Sequence, residues 1–131
     1  MDANTIRVAA AELGRQIDAR LIVLFGSAAR GDRVHHDIDL AILPRERLDL
    51  VDVTNRFTRR LGTQHIDLVD LGRADPLLLM FVAQEGVPLY EAEPGQFARF
   101  VSLAARRFAD TRKFRAGERR EIQDFLAQRR G

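Results

Sequence analysis

Asp37 and Asp39 open the segment Asp37-Ile38-Asp39-Leu40-Ala41-Ile42-Leu43. Side chains alternate along a strand, so the two carboxylates share one face. They stand roughly 6–7 Å apart along the backbone. Hard oxygen donors at that spacing suit divalent cations such as Mg2+. Two such ions about 3.5–4 Å apart can hold the attacking and leaving oxygens of an in-line phosphoryl displacement. Upstream, Gly26-Ser27 ends the apolar run Leu21-Ile22-Val23-Leu24-Phe25. A glycine there lets backbone approach a phosphate closely. The amides of the following turn, with the Ser27 hydroxyl, can bind phosphate oxygens, and Arg30 can neutralise further phosphate charge. Asp67 can complete the metal set or accept the proton of an incoming hydroxyl.

Taken singly, these features are ordinary. A Gly-Ser pair after a strand is usually a turn, and an Asp-x-Asp is usually a solvated strand edge. Their combination is not ordinary, because Asp37 and Asp39 begin an otherwise core-facing strand. Two carboxylates so close repel each other and call for a counter-charge. His35 and His36 fall in the loop before Asp37 and are read as bystanders, and His65 as structural. Asp70 is on the opposite strand face from Asp67 and is left out of the site. There is no Gly-x-x-x-x-Gly-Lys, so phosphate binding of the P-loop type is not supported.

The elements that must position these residues follow from the hydrophobic pattern. Thr5 to about Ala19 reads as a helix capped by Asn4, with Ile6, Ala9, Ala10, Leu13 and Ile17 inward. Residues 21–25 form a first strand and residues 37–43 a second, stopped by Pro44. Ser27 to Arg30 reads as one helical turn closed by Gly31-Asp32. Leu48 to Leu61 is a helix burying Leu50, Val51, Val53, Thr54, Phe57 and Leu61, and ending near Gly62. Residues 66–71 form a third strand. Pro76–Glu85 is a helix with Asp75 before it and Gly86 after it. Val87–Tyr90 is extended. From Pro94 to about Arg130 the pattern is a long helix that Gly117 interrupts.

This order constrains the topology. Only residues 26–36 join the first two strands, too few for a parallel crossover, so those strands should be antiparallel. The helix at 48–61 allows a crossover that sets the third strand parallel to the second. Gly26-Ser27, Asp37, Asp39 and Asp67 then meet at one end of the sheet. The expected fold is α/β (α+β), a small mixed sheet of three to four strands flanked by helices, with a long C-terminal helix.

The bulk properties exclude other classes. The 131 residues, 46% hydrophobic and 31% charged, describe one ordinary globular domain. With no cysteine there is neither a disulfide framework nor a thiolate metal site. No signal-peptide pattern opens the chain, and no apolar run approaches the roughly 20 residues of a membrane span. A cytoplasmic location is expected. The net charge of +2 is uneven: residues 1–93 carry 11 basic and 15 acidic side chains, residues 94–131 carry 10 and 4. The basic tail can meet an acidic partner. Direct nucleic-acid binding is not expected, and a steep salt dependence of affinity would be its mark. Residues 1–93 are expected to be a core and residues 94–131 a helical extension packing on it or on a partner, one domain overall.

Leu24-Phe25-Gly26-Ser27-Ala28-Ala29-Arg30-Gly31-Asp32, followed by Asp37-Ile38-Asp39-Leu40, resembles the signature of the DNA polymerase β nucleotidyltransferase superfamily. The chain is most similar to its MNT branch, the minimal nucleotidyltransferases. His65-Ile66-Asp67-Leu68-Val69 matches the third-carboxylate strand. Gln84-Glu85-Gly86, Leu89-Tyr90-Glu91 and Phe108-Ala109-Asp110-Thr111 resemble MNT proteins paired with HEPN-domain partners. The resemblance implies a nucleotidyltransferase fold and Mg2+-dependent transfer of AMP from ATP to a hydroxyl. The acceptor would be a tyrosine of a HEPN-family ribonuclease toxin, which makes this chain an antitoxin. Gly26, Ser27 and Arg30 would bind the triphosphate, Asp37 and Asp39 two metal ions, and Asp67 a metal or the acceptor proton. The spacer between Ser27 and Asp37 is one residue shorter than the family pattern, and His36 precedes Asp37 where the family usually has serine. The alternatives are transfer to a small molecule of the aminoglycoside type, and an antitoxin that neutralises by binding alone.

Overall fold

Leu21, Val23 and Phe25 alternate along one strand with Ile22 and Leu24, and all five are buried. A strand buried on both faces needs a layer of helices on each side. The computed structural model describes residues 1–30, 37–111 and 127–128 and has that arrangement. The strands are β1 (Ala19–Phe25), β2 (Ile38–Pro44), β3 (Ile66–Asp70) and β4 (Val87–Glu91). They form one sheet in the order β3-β2-β1-β4. β1 is antiparallel to both β2 and β4, and β2 is parallel to β3. The sense of the first three strands is the one that the short link after β1 and the helix after β2 predict.

The helices are α1 (Ala3–Gln16), α2 (Leu50–Leu61), α3 (Pro76–Glu85) and α4 (Gln96–Ala109). α1 and α2 cover one face, where Ile6, Leu13, Val53 and Phe57 pack on Ile22, Leu24, Leu40 and Ile42. α3 and α4 cover the other, where Leu79, Phe81, Val82, Phe100 and Ala104 pack on Leu21, Val23, Phe25 and Ala41. No helix among the described residues is long and apolar enough to cross a membrane.

Several boundaries differ from the sequence reading. α1 begins earlier because Asp2, not Asn4, caps it: the Asp2 carboxylate accepts from the Thr5 amide at 2.8 Å. It ends at Gln16, and Asp18 turns the chain with a positive φ of 54°, so β1 starts two residues sooner than expected. α2 starts at Leu50 behind the Asp49 cap. Its buried stripe is Val53, Phe57 and Leu61, while Val51 is 73% and Leu50 38% exposed. Val51 lies two residues from Val53, about 200° around the helix, and so faces water. α4 begins at Gln96, after Gly95 in a left-handed conformation, and closes in a turn at Asp110-Thr111. Gly31-Asp32, His35, His36, Gly117 and the apolar positions Phe114, Ile122, Phe125 and Leu126 lie outside the described residues.

Two contacts bear on how the helices are placed. Gly86 joins α3 to β4, and a side chain there would run into Val23 Cγ1 of β1 and the Val82 carbonyl. Glu12 of α1 and Arg60 of α2 form a surface ion pair at 2.8 Å. The hydrogen bond from Arg60, then its charge, hold the Glu12 carboxyl below its ordinary range.

Gly86→Ala should lower stability by about 1–3 kcal/mol, the usual cost of forcing an atom into a packed site, read by thermal or denaturant unfolding. For Glu12 the sign follows from the lowered pKa. Its contribution is present above the ordinary glutamate value and disappears as the pH falls through the lowered one. Glu12→Gln should therefore melt slightly below the parent at neutral pH. The two should converge in acid, and high salt should shrink the difference at neutral pH.

Candidate active site

β1 ends at Phe25, and Gly26 follows with φ of 74°, a left-handed conformation that L side chains rarely adopt. The chain then turns tightly: the Arg30 amide lies 3.4 Å from the Gly26 carbonyl and 3.2 Å from the Ser27 carbonyl. This is the single turn expected over residues 27–30. Ser27 is half-buried at its start and Arg30 exposed at its end.

The antiparallel register sets Phe25 opposite Asp39, and the parallel register sets Asp39 opposite Asp67. Gly26, Asp39 and Asp67 are thereby brought to one end of the sheet from three strands. Asp39 is only 7% exposed. A Cβ on Gly26 would collide with Asp39 Oδ2 and lie 3.2 Å from its Cγ. The missing side chain at residue 26 is what leaves room for that carboxylate.

Asp37 shares the Asp39 face at the mouth of β2 but is exposed. The Ile38 amide donates to the His65 carbonyl at 2.8 Å, which locks the start of β2 against β3. His65 Nδ1 then lies 3.7 Å from Asp37 Oδ1. Asp67 is exposed as well. Among the described residues, no three His, Cys, Asp or Glu side chains converge closely enough to form a ready-made metal cage. The donors nevertheless suit a hard divalent cation in type, being carboxylate oxygens on one face of adjacent strands, one of them nearly buried. Removing a carboxylate from water is costly without positive charge nearby. Mg2+ keeps several waters and needs only one or two carboxylates plus phosphate oxygens.

Sequence reasoning set His65 aside, although it neighbours Asp37. The available signal was the alternation of β3, which puts residues 65 and 67 on one face. It also gave no place in the site to Glu85. Phe81 of α3 meets Phe25 edge-on, with ring centroids 5.9 Å apart and planes at 90°. Glu85 lies four residues on, one turn nearer the carboxylate end along the same helix face, and is half-buried. Asp70 stays apart from this cluster, its Oδ1 accepting from the Gly72 amide at 2.8 Å.

The polymerase β nucleotidyltransferase model matches residues 10–94. The chain belongs to that family. It is 28% identical over 120 residues to the protein adenylyltransferase MntA of Aphanizomenon flos-aquae, covering 82% of this chain and 80% of that protein. It superposes with a TM-score of 0.70 on a crystal structure of a toxin–antitoxin with AMP-PNP, at 25% identity over 94% of this chain and 98% of the other. A structure of a tri-AMPylated Shewanella oneidensis HEPN toxin in complex with its MNT antitoxin shares the fold, with a TM-score of 0.64 at 24% identity. That match covers 94% of this chain and 96% of the other.

Gly26→Ala should place a methyl group on the Asp39 carboxylate and displace it. Displacements of about 1 Å in an active site can cost about 10²-fold in rate, so nucleotidyl transfer should fall by at least about that factor. Gly62 offers the control. It has φ of 70° but open space around its missing Cβ. Gly62→Ala should cost about 1 kcal/mol of backbone strain and leave transfer intact. Melting curves and initial rates of the two variants separate the effects.

Proposed function

We propose that this nucleotidyltransferase transfers AMP from ATP to a tyrosine hydroxyl of a HEPN-family ribonuclease toxin and so acts as its antitoxin. The nearly buried Asp39 beside side-chain-free Gly26, in register with Asp67, carries the reading. On this reading, Gly26, the carboxylates of Asp37 and Asp39 and the proton acceptor Asp67 fall within one short row of strand ends. The relatives named for adenylyl transfer and for complexes with HEPN toxins support the acceptor class. Residues 1–93 serve as the catalytic core, and the chain from residue 94 onward as the extension that packs on it or on the partner. We place the reaction in the cytoplasm, where ATP is abundant.

Gly26 and Ser27 cradle the triphosphate through backbone amides and the Ser27 hydroxyl, and Arg30 offsets its charge. Asp37 and Asp39 would hold Mg2+, which would supply positive charge to the α-phosphate and the leaving group. The tyrosine oxygen attacks the α-phosphorus. The bond from that phosphorus to the β-phosphate bridging oxygen breaks, and pyrophosphate leaves. Asp67, one strand away from Asp39, would take the tyrosine proton or share in holding the metal.

Intact mass of the cognate HEPN toxin, after incubation with this protein, ATP and Mg2+, should rise in steps of one AMP. Asp37→Ala with Asp39→Ala should abolish the steps and the neutralisation together. Full neutralisation by the double variant would instead establish an antitoxin that works by binding alone.

A further inference from the structure

Asp39 is held in place by burial against Gly26. Asp37 lacks that burial. It precedes Ile38, the first residue of β2, and its side chain is 67% exposed. An acidic side chain so placed samples several rotamers unless a neighbour orients it. Ordering it only when a cation arrives would weaken the binding of that cation.

His65 reaches Asp37 twice. Its carbonyl accepts from the Ile38 amide at 2.8 Å, and that amide belongs to the planar peptide that follows Asp37. Its Nδ1 lies 3.7 Å from Asp37 Oδ1. His65 is also tied on its other side, because its amide donates to Thr63 Oγ1 at 3.1 Å. The direction of the ring follows from β3. Val69 packs with the core under α3 and α4, whereas Ile66 and Leu68 pack with the core under α1 and α2. Strand side chains alternate, so His65 and Asp67 share the face of Val69. Asp39 is opposite Asp67 in the ladder, so the imidazole stands on the carboxylate side of the sheet.

An ion pair as open to water as this one contributes little to the fold. Mg2+ takes oxygen ligands by preference, so the imidazole belongs beside the carboxylate and not on the ion. Carboxylates that ligate metals are themselves oriented by hydrogen bonds. A small rotation of either exposed side chain closes the gap from 3.7 Å to hydrogen-bond distance.

We propose that His65 is a positioning residue of the metal site: an N–H at Nδ1 donates to Asp37 Oδ1 and turns the other oxygen of that carboxylate toward a divalent cation beside Asp39. The inference rests on the proposed function, which makes Asp37 a metal ligand, and adds the group that orients it.

The test compares, by calorimetry on the full chain, the affinity for a non-hydrolysable ATP analogue in Mg2+ and in EDTA. The ratio of the two isolates what the metal adds. His65→Ala should weaken binding of the Mg2+-loaded analogue by about tenfold or more, the usual loss when the partner of a metal ligand is removed. Binding of the metal-free analogue and the melting temperature should stay unchanged, whereas a purely structural role would move both affinities together. His65→Asn, whose side-chain amide nitrogen can stand where Nδ1 stands, should restore most of the Mg2+-dependent part. In an Asp37→Ala background, His65→Ala should cause no further loss, since the two residues act through one contact. An equal loss with and without Mg2+ overturns the inference, because it assigns the ring to the nucleotide. So does rescue by His65→Gln but not by His65→Asn, which makes Nε2 a direct ligand. A parent that binds the analogue no better with Mg2+ refutes the metal chemistry of the proposed function and this inference with it. A parent that gains from Mg2+ while His65→Ala gains as much refutes the inference alone.

Discussion

Asp39 has a carboxylate almost out of water, against a residue that has no side chain. A charge in that position is tolerated only where the surroundings are built for it. The carboxyl group lies where a Cβ of residue 26 would be. Residue 26 must therefore be glycine twice over, for its left-handed backbone and for the space it leaves. The same residue ends β1 and begins the turn through Ser27 to Arg30. The proposed metal-binding carboxylate and the proposed phosphate-binding turn are consequently coupled through one close approach between neighbouring strands.

The two faces of the sheet have different tasks. The face under α1 and α2 is a continuous apolar core, with Leu40 and Ile42 of β2 fully buried in it. The face under α3 and α4 is apolar only up to Phe25 and then gives way to carboxylates. The edge-on pair of Phe25 and Phe81 is the last apolar layer beneath them. Because Phe25 is in register with Asp39, that pair sets the floor of the site and also sets how far α3 extends toward it. Gly86 then returns the chain tightly into β4, so α3 can end beside the carboxylates without displacing β1.

The polymerase β nucleotidyltransferase model spans residues 10–94 and so takes in all four strands. β4 adds an edge strand that carries Pro88, a residue with no amide hydrogen and therefore suited to an edge. α4 is apolar toward the sheet, while its exposed end is basic.

The sequence by itself determined the kinds of elements, their order, the antiparallel start of the sheet and the positions that carry chemistry. Those depend on local periodicity, turn residues and the length of one short link, all of which act over a few residues. Local pattern did not distinguish Asp39 from Asp37, because both alternate identically. Only the approach of Gly26 from β1 makes one nearly buried and leaves the other at the mouth beside His65. Nor did it separate Leu50 and Val51 from Val53, since an apolar helix end looks inward until the sheet is found to lie along a narrower stripe. The same holds for Glu85, an ordinary charged residue in sequence. It is carried toward the strand ends by α3, whose Phe81 packs on Phe25, a contact between residues far apart in the chain.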